Sequence, residues 1–435
     1  MKTNLSLDHS VVTVHHNSEV VHVMIDLEAP EAPSLQRAPL DVVLVLDRSG
    51  SMRGAPLASV IEATAGLLRL AHPNDRIGVV AFDNQANMVL PLDGHDAASA
   101  APKVRAVHSG GSTNLSGGWL KAFEMLSNSP RRDALRRIVV LTDGHVNAGV
   151  TGPKELSALM NEGKIANLTT SFIGFSTGYD EELLGALSLA GSGNNYYCEG
   201  PDQAAAVFVE EFQGLASVVA QNISVEVVPT SVVASCAVLH EFPLVRLPGG
   251  GAQIEIGDAY GRETRRVVLG FNLRPLQEEG MVDIASLTIR WTTATGNLEM
   301  HAVTMPVSVI AGQSGVVDTG ADPRVRDEVL VLKVAKSRKE AQSLADDGNY
   351  ERAADVLEQA RKEIEPLPAL RAEVQQLEKD VARLRSRLWD LKDKKMNYAR
   401  SQELHRKRKA QFIDEMDQQD RLGGGTDQDD AGGQK

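Results

Sequence analysis

The sequence predicts an α/β protein in which a doubly wound, mostly parallel sheet is inserted in an antiparallel β-sandwich and is followed by a C-terminal helical region. Three observations predict this fold class. Between residues 39 and 220, short apolar runs alternate with helical patterns. On both sides of that stretch, segments rich in β-branched residues are separated by turn residues. From residue 322 onward the pattern is helical and ends in a heptad repeat.

The N-terminal segment, residues 1–38, is predicted to supply strands of the sandwich. Its apolar residues alternate from Leu5 to Val14, and a denser apolar stretch runs over residues 20–25. A two-stranded ribbon is only marginally stable on its own. We therefore expect these strands to pair with residues 221–316.

Residues 39–220 are predicted to form the doubly wound domain. Continuous apolar strands separated by helices are typical of a parallel sheet that is covered on both faces. In such sheets, ligands bind at the carboxyl ends of the strands. The predicted strands are 42–46, 77–82, 138–141 and 168–175, and the predicted helices are 55–71, 115–128, 153–165, 180–190 and 202–219.

The second sandwich segment, residues 221–316, has the β-branched content and the turn residues of an antiparallel sandwich. Residues 322–420 are predicted to form a helical hairpin, at residues 341–364, and then a coiled coil. The last segment, residues 421–435, is acidic and rich in glycine, which predicts disorder.

The heptad seam runs from Leu370 to Tyr398 with alternating spacings of four and three, and only Lys395 interrupts its apolar character. Such a seam predicts pairing with a second copy through residues 370–398. The same pattern also fits one long helix packed on the body of the protein, and a single sequence leaves both alternatives open.

Composition and charge favour a soluble globular protein. Hydrophobic residues make up 42% and charged residues 24% of the chain. The net charge of −13 makes nucleic acid an unexpected partner. We expect no membrane span and a cytoplasmic location, since the sequence shows neither a long apolar run nor an apolar leader after Met1. Cys198 and Cys236 are expected to be reduced thiols.

Three short segments, far apart in the chain, supply five oxygen side chains that suit one hard cation. Asp47, Ser49 and Ser51 occupy alternate positions after a predicted strand. Thr113 follows two glycines, and Asp143 follows another predicted strand. Carboxylates and hydroxyls without cysteine or clustered histidine favour Mg²⁺, or Ca²⁺ or Mn²⁺, over Zn²⁺ or copper. Where some of the five act only through water, a coordination position stays open for a partner's carboxylate.

Each of these residues, taken alone, also has an ordinary explanation. Asp47 is suited to capping the helix that follows it. Asp143 is a common residue of turns. The occurrence of all five in order, each after the right kind of element, favours the metal site over these roles.

The pattern Asp47-x-Ser49-x-Ser51, Thr113 and Asp143-Gly resembles the metal-ion-dependent adhesion site of the von Willebrand factor A domain family, shared with integrin inserted domains. This resemblance covers about residues 39–220. It implies a Rossmann-like fold, a divalent cation held by these five side chains, and a protein partner that contributes a Glu or Asp to the metal. Ser112 stands beside Thr113 and either hydroxyl is a candidate, but Thr-Asn-Leu matches the family pattern.

The resemblance also implies further properties. The flanking sandwich strands are similar to those of bacterial intracellular members, some of which couple to ring ATPases, so an ATPase is an alternative partner. Family members can couple the ion to movement of the last helix of the domain, which corresponds to residues 202–219.

No enzyme signature competes with the binding hypothesis. The sequence lacks a Gly-x-Ser-x-Gly motif in strand–turn–helix context, and the loop at residues 110–113 lacks the lysine of a P-loop. We therefore expect a protein that is not an enzyme, with an oligomeric scaffold as the alternative. His145 and the basic run at residues 405–409 are expected to be ordinary solvent-facing positions.

Overall fold

A computed structural model gives the fold of this chain and describes residues 1–406, except 16–18, 32–37, 132, 144, 176–179, 199–206, 208–210, 213, 216, 295–298 and 314. The predicted disordered tail lies outside the described residues, as do most of the basic run and most of the predicted helix 202–219. Three strands open the chain, namely β1 (Lys2–Leu7), β2 (Val11–Thr13) and β3 (Glu19–Glu28).

The α/β fold predicted for the following segment is confirmed. The sheet order is β6-β5-β4-β7-β8-β9, and every neighbouring pair is parallel except β5 with β6. Its strands are β4 (Leu40–Asp47), β5 (Arg76–Phe82), β6 (Ala86–Asp93), β7 (Leu135–Thr142), β8 (Leu168–Phe175) and β9 (Ser192–Cys198). Its helices are α1 (Ala55–Leu70), α2 (Ala97–Arg105), α3 (Leu115–Ser127), α4 (Pro153–Ile165) and α5 (Glu181–Ala190).

Helices cover both faces of this sheet because its strands are apolar on both faces. In the fully buried strand β4, Val42, Leu44 and Leu46 belong to the core that contains α1 and α2. The alternate residues Val43 and Val45 belong to the core that contains α3, α4 and α5. This alternation follows from the period of two in a strand and makes the sheet doubly wound.

Two further sheets combine strands from both sides of the α/β domain. Strand β3 pairs along its full length with β14, with Glu19 opposite Leu273 and Glu28 opposite Thr264. The sheet orders are β1-β3-β14-β11 and β12-β13-β10-β15-β16-β2. The strands are β10 (Val218–Pro229), β11 (Val233–Val238), β12 (Leu244–Arg246), β13 (Ala252–Tyr260), β14 (Thr264–Leu273), β15 (Gly280–Thr293) and β16 (Met300–Gly312).

One hydrophobic core lies between these two sheets. Val23 and Phe271 from the first sheet belong to the same buried cluster as Val227 and Leu287 from the second. The chain order therefore places the α/β domain between β3 and β10. Val218 and Val219 begin β10, so the end of the helix predicted at residues 202–219 is wrong.

The C-terminal region is a set of helices packed on one another. The predicted hairpin is present, and Gly348 forms its turn with a φ of 78°, a conformation that suits glycine. Among the described helices, none combines the length and the hydrophobicity that a bilayer crossing requires. The helices are α6 (Pro323–Asp346), α7 (Tyr350–Ile364), α8 (Arg371–Arg385) and α9 (Leu391–Arg406).

The seam over residues 370–398 does not form one continuous helix. The chain breaks between α8 and α9, and the α8 seam residues Leu377, Val381 and Leu384 are buried against α6 and α7 of the same chain. The expectation of a continuous coiled-coil seam is therefore wrong for this structure. The physical reason is that the same apolar stripe packs within the chain.

Candidate metal centre

The carboxyl edge of the parallel sheet brings the two predicted aspartates together. Strands β4 and β7 are parallel neighbours, with Leu46 opposite Leu141. Asp47 is the last residue of β4, and Asp143 directly follows β7. Both carboxylates therefore leave the sheet at the same edge, which is where open parallel sheets bind ligands.

The carboxylate of Asp47 is fully buried and held on both oxygens. Its Oδ1 accepts a hydrogen bond from the backbone N–H of Ser49 at 2.8 Å, and its Oδ2 accepts one from the hydroxyl of Thr142 at 2.6 Å. Burial raises the pKa of Asp47 to about 6, and the charge of Asp143 adds to this rise, although the hydrogen bonds act to lower the pKa.

The carboxylate of Asp143 is incompletely satisfied. Its side chain is buried, and its Oδ1 has no hydrogen-bond partner among the described residues. Neither Asp143 nor Asp47 forms an ion pair within the described part of the chain. Two neighbouring buried carboxylates without a positive charge are costly. A hard divalent cation fits this donor set because it would supply the charge that both carboxylates lack.

Two serine hydroxyls meet directly after Asp47. The chain turns through a short 3₁₀ segment at Gly50–Met52, and the hydroxyls of Ser49 and Ser51 lie 3.1 Å apart. Ser49 is buried, whereas Ser51 is exposed. The pair therefore presents two adjacent oxygen donors, one of which faces solvent.

The glycine loop that precedes Thr113 is hydrogen-bonded to the first loop. Gly50 N–H donates to the carbonyl of Gly111 at 2.9 Å, and Gly110 N–H donates to the carbonyl of Arg48 at 2.6 Å. A β-carbon on Gly110 would lie 2.0 Å from the carboxylate of Asp83. A larger residue at position 110 would therefore force the Asp83 carboxylate to move.

Thr113 is tied in turn to the loop that follows Asp143. Its N–H donates to the side-chain oxygen of Asn147 at 2.7 Å, and its carbonyl accepts from the N–H groups of Asn147 and Ala148 at 3.2 and 3.3 Å. Thr113 is also buried. All three predicted loops are thus joined by hydrogen bonds at one edge of the sheet.

Several residues that support this edge were missed in the sequence. Asp83 pairs with Arg48 at 3.1 Å, and the side-chain oxygen of Asn84 accepts from the N–H of Ser112 at 2.5 Å. Burial acts to raise the pKa of Asp83, but the Gln85 hydrogen bond and the Arg48 charge outweigh it, so the pKa lies below its usual value. The signal was available, since Asp83 follows β5, the other neighbour of β4.

The candidate set contains two carboxylates and three hydroxyls. Within the described residues, no three side chains of His, Cys, Asp or Glu cluster in a way that could hold a metal ion. His145 is exposed. Cys198 and Cys236 are free thiols, and burial raises the pKa of Cys198 to about 12.

Comparisons with known proteins agree with the fold described above. Residues 42–145 match the family model described as von Willebrand factor type A domain. An uncharacterized protein of Synechocystis is 26% identical over 340 residues, which cover 75% of this chain and 79% of that protein.

Two solved structures share the fold over most of the chain. A von Willebrand factor type A protein from Catenulispora acidiphila has a TM-score of 0.67 at 15% identity, over 86% of this chain and 88% of that one. The ArnB paralog VWA2 from Sulfolobus acidocaldarius has a TM-score of 0.64 at 16% identity, over 93% of this chain and 98% of that one. The segment that matches the family model, residues 42–145, includes the whole stretch from Asp47 to Asp143.

Proposed function

We propose, from the premise that this chain contains a von Willebrand factor type A domain, that it is a divalent-cation-dependent protein-binding module. Domains of this family are generally protein-interaction modules. Asp47, Ser49, Ser51, Thr113 and Asp143 would hold Mg²⁺, with Ca²⁺ and Mn²⁺ as alternatives, at a metal-ion-dependent adhesion site. One observation carries the proposal. The Asp143 side chain is buried near the buried Asp47, and no group among the described residues donates a hydrogen bond to its Oδ1 atom.

A partner would complete the metal coordination with a Glu or Asp side chain. Mg²⁺ takes about six oxygen ligands, and five side chains, some acting through water, leave a position open. Ser51 is exposed at the edge of the site, so an incoming carboxylate has access from solvent. The metal would neutralise the partner's carboxylate as it leaves water, which makes binding dependent on the cation.

Calorimetry with Mg²⁺ and Mn²⁺ tests the metal assignment on wild type and Asp143→Ala. We expect binding in the wild type and a large loss in the variant. The matched control is Asp133→Ala, which removes a carboxylate that precedes strand β7, at the opposite edge of the sheet. Asp133 is 76% exposed, so its loss should leave metal binding unchanged. Equal binding in wild type and Asp143→Ala, or no binding in either, would refute the site.

The partner is tested by affinity capture from the native cell with Mg²⁺ present or removed by a chelator. A partner of the site should be captured by wild type and by Asp133→Ala in Mg²⁺. It should be lost with chelator and with Asp143→Ala. Capture of the same proteins with and without chelator, and by wild type and Asp143→Ala alike, would argue against cation-dependent binding.

Finer features of the protein are part of the same proposal. We propose that residues 1–38 and 221–316 form one β-sandwich that carries the domain at residues 39–220 as an insertion, followed by the helical region at residues 322–420. We also propose a cytoplasmic location and binding without catalysis. An ATPase partner and an affinity switch at residues 202–219 stay predictions that rest on the family resemblance.

A further inference from the structure

The connection between α8 and α9 is a break that the amino-acid pattern does not favour. No glycine or proline occurs from residue 369 to residue 406. The heptad spacing continues across the break from Leu384 to Leu388 and Leu391. Both features favour one continuous helix. The structure nevertheless ends α8 at Arg385 and begins α9 at Leu391.

The end of α8 has the hydrogen bonds of a glycine-terminated helix but lacks the glycine. Arg387 N–H donates to the carbonyl of Leu384 at 3.0 Å, and Leu388 N–H donates to the carbonyl of Arg383 at 2.9 Å. This pair of bonds normally has glycine at the left-handed position. Here Arg387 occupies it with a φ of 53°. Its β-carbon makes the conformation unfavourable.

The break also leaves one apolar residue of the seam exposed to solvent. Leu388 is 64% exposed, whereas Leu384, the preceding seam residue, is buried. A well-formed cap nevertheless starts α9. The Asp390 side chain accepts from Asp393 N–H at 2.9 Å, and the Asp393 side chain accepts from Asp390 N–H at 3.0 Å. The turn therefore combines one unfavourable helix end with one favourable helix start.

Helix α9 contacts elements far from it in sequence and also its neighbour α8, through Arg400 with Glu373 at 3.5 Å and Asp393 with Arg383 at 2.7 Å. Lys395, the polar exception in the seam, lies 3.7 Å from Glu181 of α5, and both side chains are at least 90% buried. The Asn397 side chain accepts from Arg338 at 2.8 Å, and Ser401 donates to the carbonyl of Ala335 at 3.0 Å. Arg338 and Ala335 belong to α6. None of the contacts with α5 and α6 requires that α8 and α9 connect within the same copy.

We propose that α9 is exchanged between two copies of this chain, which gives a domain-swapped dimer. When residues 386–390 become helical, α8 and α9 form one straight helix, and α9 docks on α5 and α6 of the second copy. Every docking contact of α9 on α5 and α6 is remade, so the two forms differ mainly in the hinge, where the straight form gives up the contact of Arg383 with Asp393, and in the entropy of association. The heptad across the hinge and the conformation of Arg387 both favour the straight form. This inference is independent of the metal site.

The first experiment changes the relative stability of the bent and the straight hinge at residues 386–390. Light scattering after gel filtration measures the dimer fraction of the full chain over a concentration series. Arg387→Gly should lower the association constant at least ~5-fold because glycine removes the cost of the left-handed conformation. Asp390→Ala should raise the constant, since it removes the cap that starts α9. Arg387→Lys is the control and should match wild type. Monomers at every concentration in both wild type and Asp390→Ala would overturn the proposal.

The second experiment tests whether α9 docks on the second copy. Lys395→Glu and Glu181→Lys each place like charges at the buried contact in the monomer and in the swapped dimer alike, so each variant alone should keep about the wild-type association constant. An equimolar mixture of the two variants restores opposite charges only across a swapped pair, so it should be more dimeric than either variant alone. The control mixture is Lys339→Glu with Glu241→Lys, an exposed pair outside α9 that lies 3.0 Å apart. A mixture no more dimeric than its components would refute the exchange.

Discussion

The chemistry of the candidate site depends on how individual donors hold the Asp47 carboxylate. Its two oxygens accept hydrogen bonds from the Ser49 backbone and from the Thr142 hydroxyl. Thr142 is buried and is adjacent to Asp143 in the chain. Thr142 therefore orients the carboxylate of Asp47 from the end of β7, the strand that Asp143 directly follows. Residues of this kind typically change metal affinity 10- to 100-fold when they are replaced.

Thr142→Val tests this orientation without changing the shape of the side chain. The substitution removes the donor at 2.6 Å from Asp47 Oδ2, so the carboxylate loses its fixed position. We expect Mn²⁺ affinity to fall about 10-fold by calorimetry, with the far-ultraviolet circular dichroism unchanged. Thr64→Val is the control, because Thr64 is fully buried and its hydroxyl has no hydrogen-bond partner in the described part of the chain. An unchanged affinity in Thr142→Val would show that Thr142 does not position a metal ligand.

The sequence was sufficient to predict the ligand candidates but not the residues that support them. Asp47 and Asp143 follow apolar runs that only a buried strand explains, so their shared edge was predictable. The support by Asn147 arises from spatial contact between loops, which sequence spacing does not encode, whereas Asp83 was open to prediction as the residue that follows β5. Thr142 was missed because a threonine at the end of a strand is also an ordinary β-former.

At the scale of elements, the loop between β1 and β2 is fixed by a buried acid shared by two histidines. Asp8 lies 2.8 Å from the Nδ1 atoms of both His9 and His22. Burial acts to raise the pKa of Asp8, but the hydrogen bonds from His22 and His9 outweigh it and lower the pKa. The hydrogen bond to Asp8 raises the pKa of His9, against the effect of burial, with help from the charges of Glu19 and Asp318.

These shifts predict a pH window for the stability of this loop. Since the pKa of His9 is raised above 6.5, its contribution is complete below pH 6.5 and is lost as the pH rises through the folded-state value. Since the pKa of Asp8 is lowered below 3.8, its contribution is present above pH 3.8 and is lost on acidification. Urea unfolding of wild type and His9→Gln should therefore differ most between these two values and less at pH 9.

The Asp8→Asn background is the control for this window. His9→Gln in that background should show a much weaker dependence on pH, because the main partner of His9 has lost its charge. A difference between wild type and His9→Gln that is constant from pH 5 to pH 9 would contradict the assignment.

The elements themselves differ in how predictable they were. The buried strand at Leu168–Phe175 and the helix at Pro153–Ile165 were predicted with their observed bounds, because a strand buried on both faces and a helix with a proline start give strong signals. Strand β6 and helix α2 were missed. The first is a largely exposed edge strand containing Pro91, and the second contains Pro102, so both lack the usual pattern. The break after Arg385 has no glycine or proline to mark it.

At the scale of the whole molecule, helix α6 connects the helical region to the two-sheet core. Val325, Val329 and Leu332 of α6 pack with Met24 of β3 and Val268 of β14. These two strands come from opposite sides of the α/β domain in the sequence and are paired with each other. The apolar surface on which α6 packs therefore forms only when β3 has paired with β14. We expect loss of this contact to lower the stability of the whole chain.

Among the described residues, two ion pairs connect α6 to the sheet region, and they differ in burial. Arg266 of β14 lies between Asp26 of β3, at 2.6 Å, and Glu328 of α6, at 2.7 Å. The Glu328 side chain is only 2% exposed. The second pair, Lys339 with Glu241, is 58% and 33% exposed. Solvent screens the exposed pair, whereas the buried pair keeps its hydrogen bonds in a low dielectric.

Glu328→Ala should therefore lower the free energy of unfolding by about 2 kcal/mol, because Arg266 loses a charged hydrogen bond and keeps Asp26 as its partner among the described residues. Lys339→Ala should lower it by less than about 1 kcal/mol, since exposed pairs contribute little. Urea unfolding at pH 7, followed by circular dichroism and tryptophan fluorescence, measures both. Equal losses of unfolding free energy in the two variants would contradict a buried contact between α6 and the sheets. Separate transitions by the two probes in Glu328→Ala alone would show that this contact is what couples the helical region to the rest of the molecule.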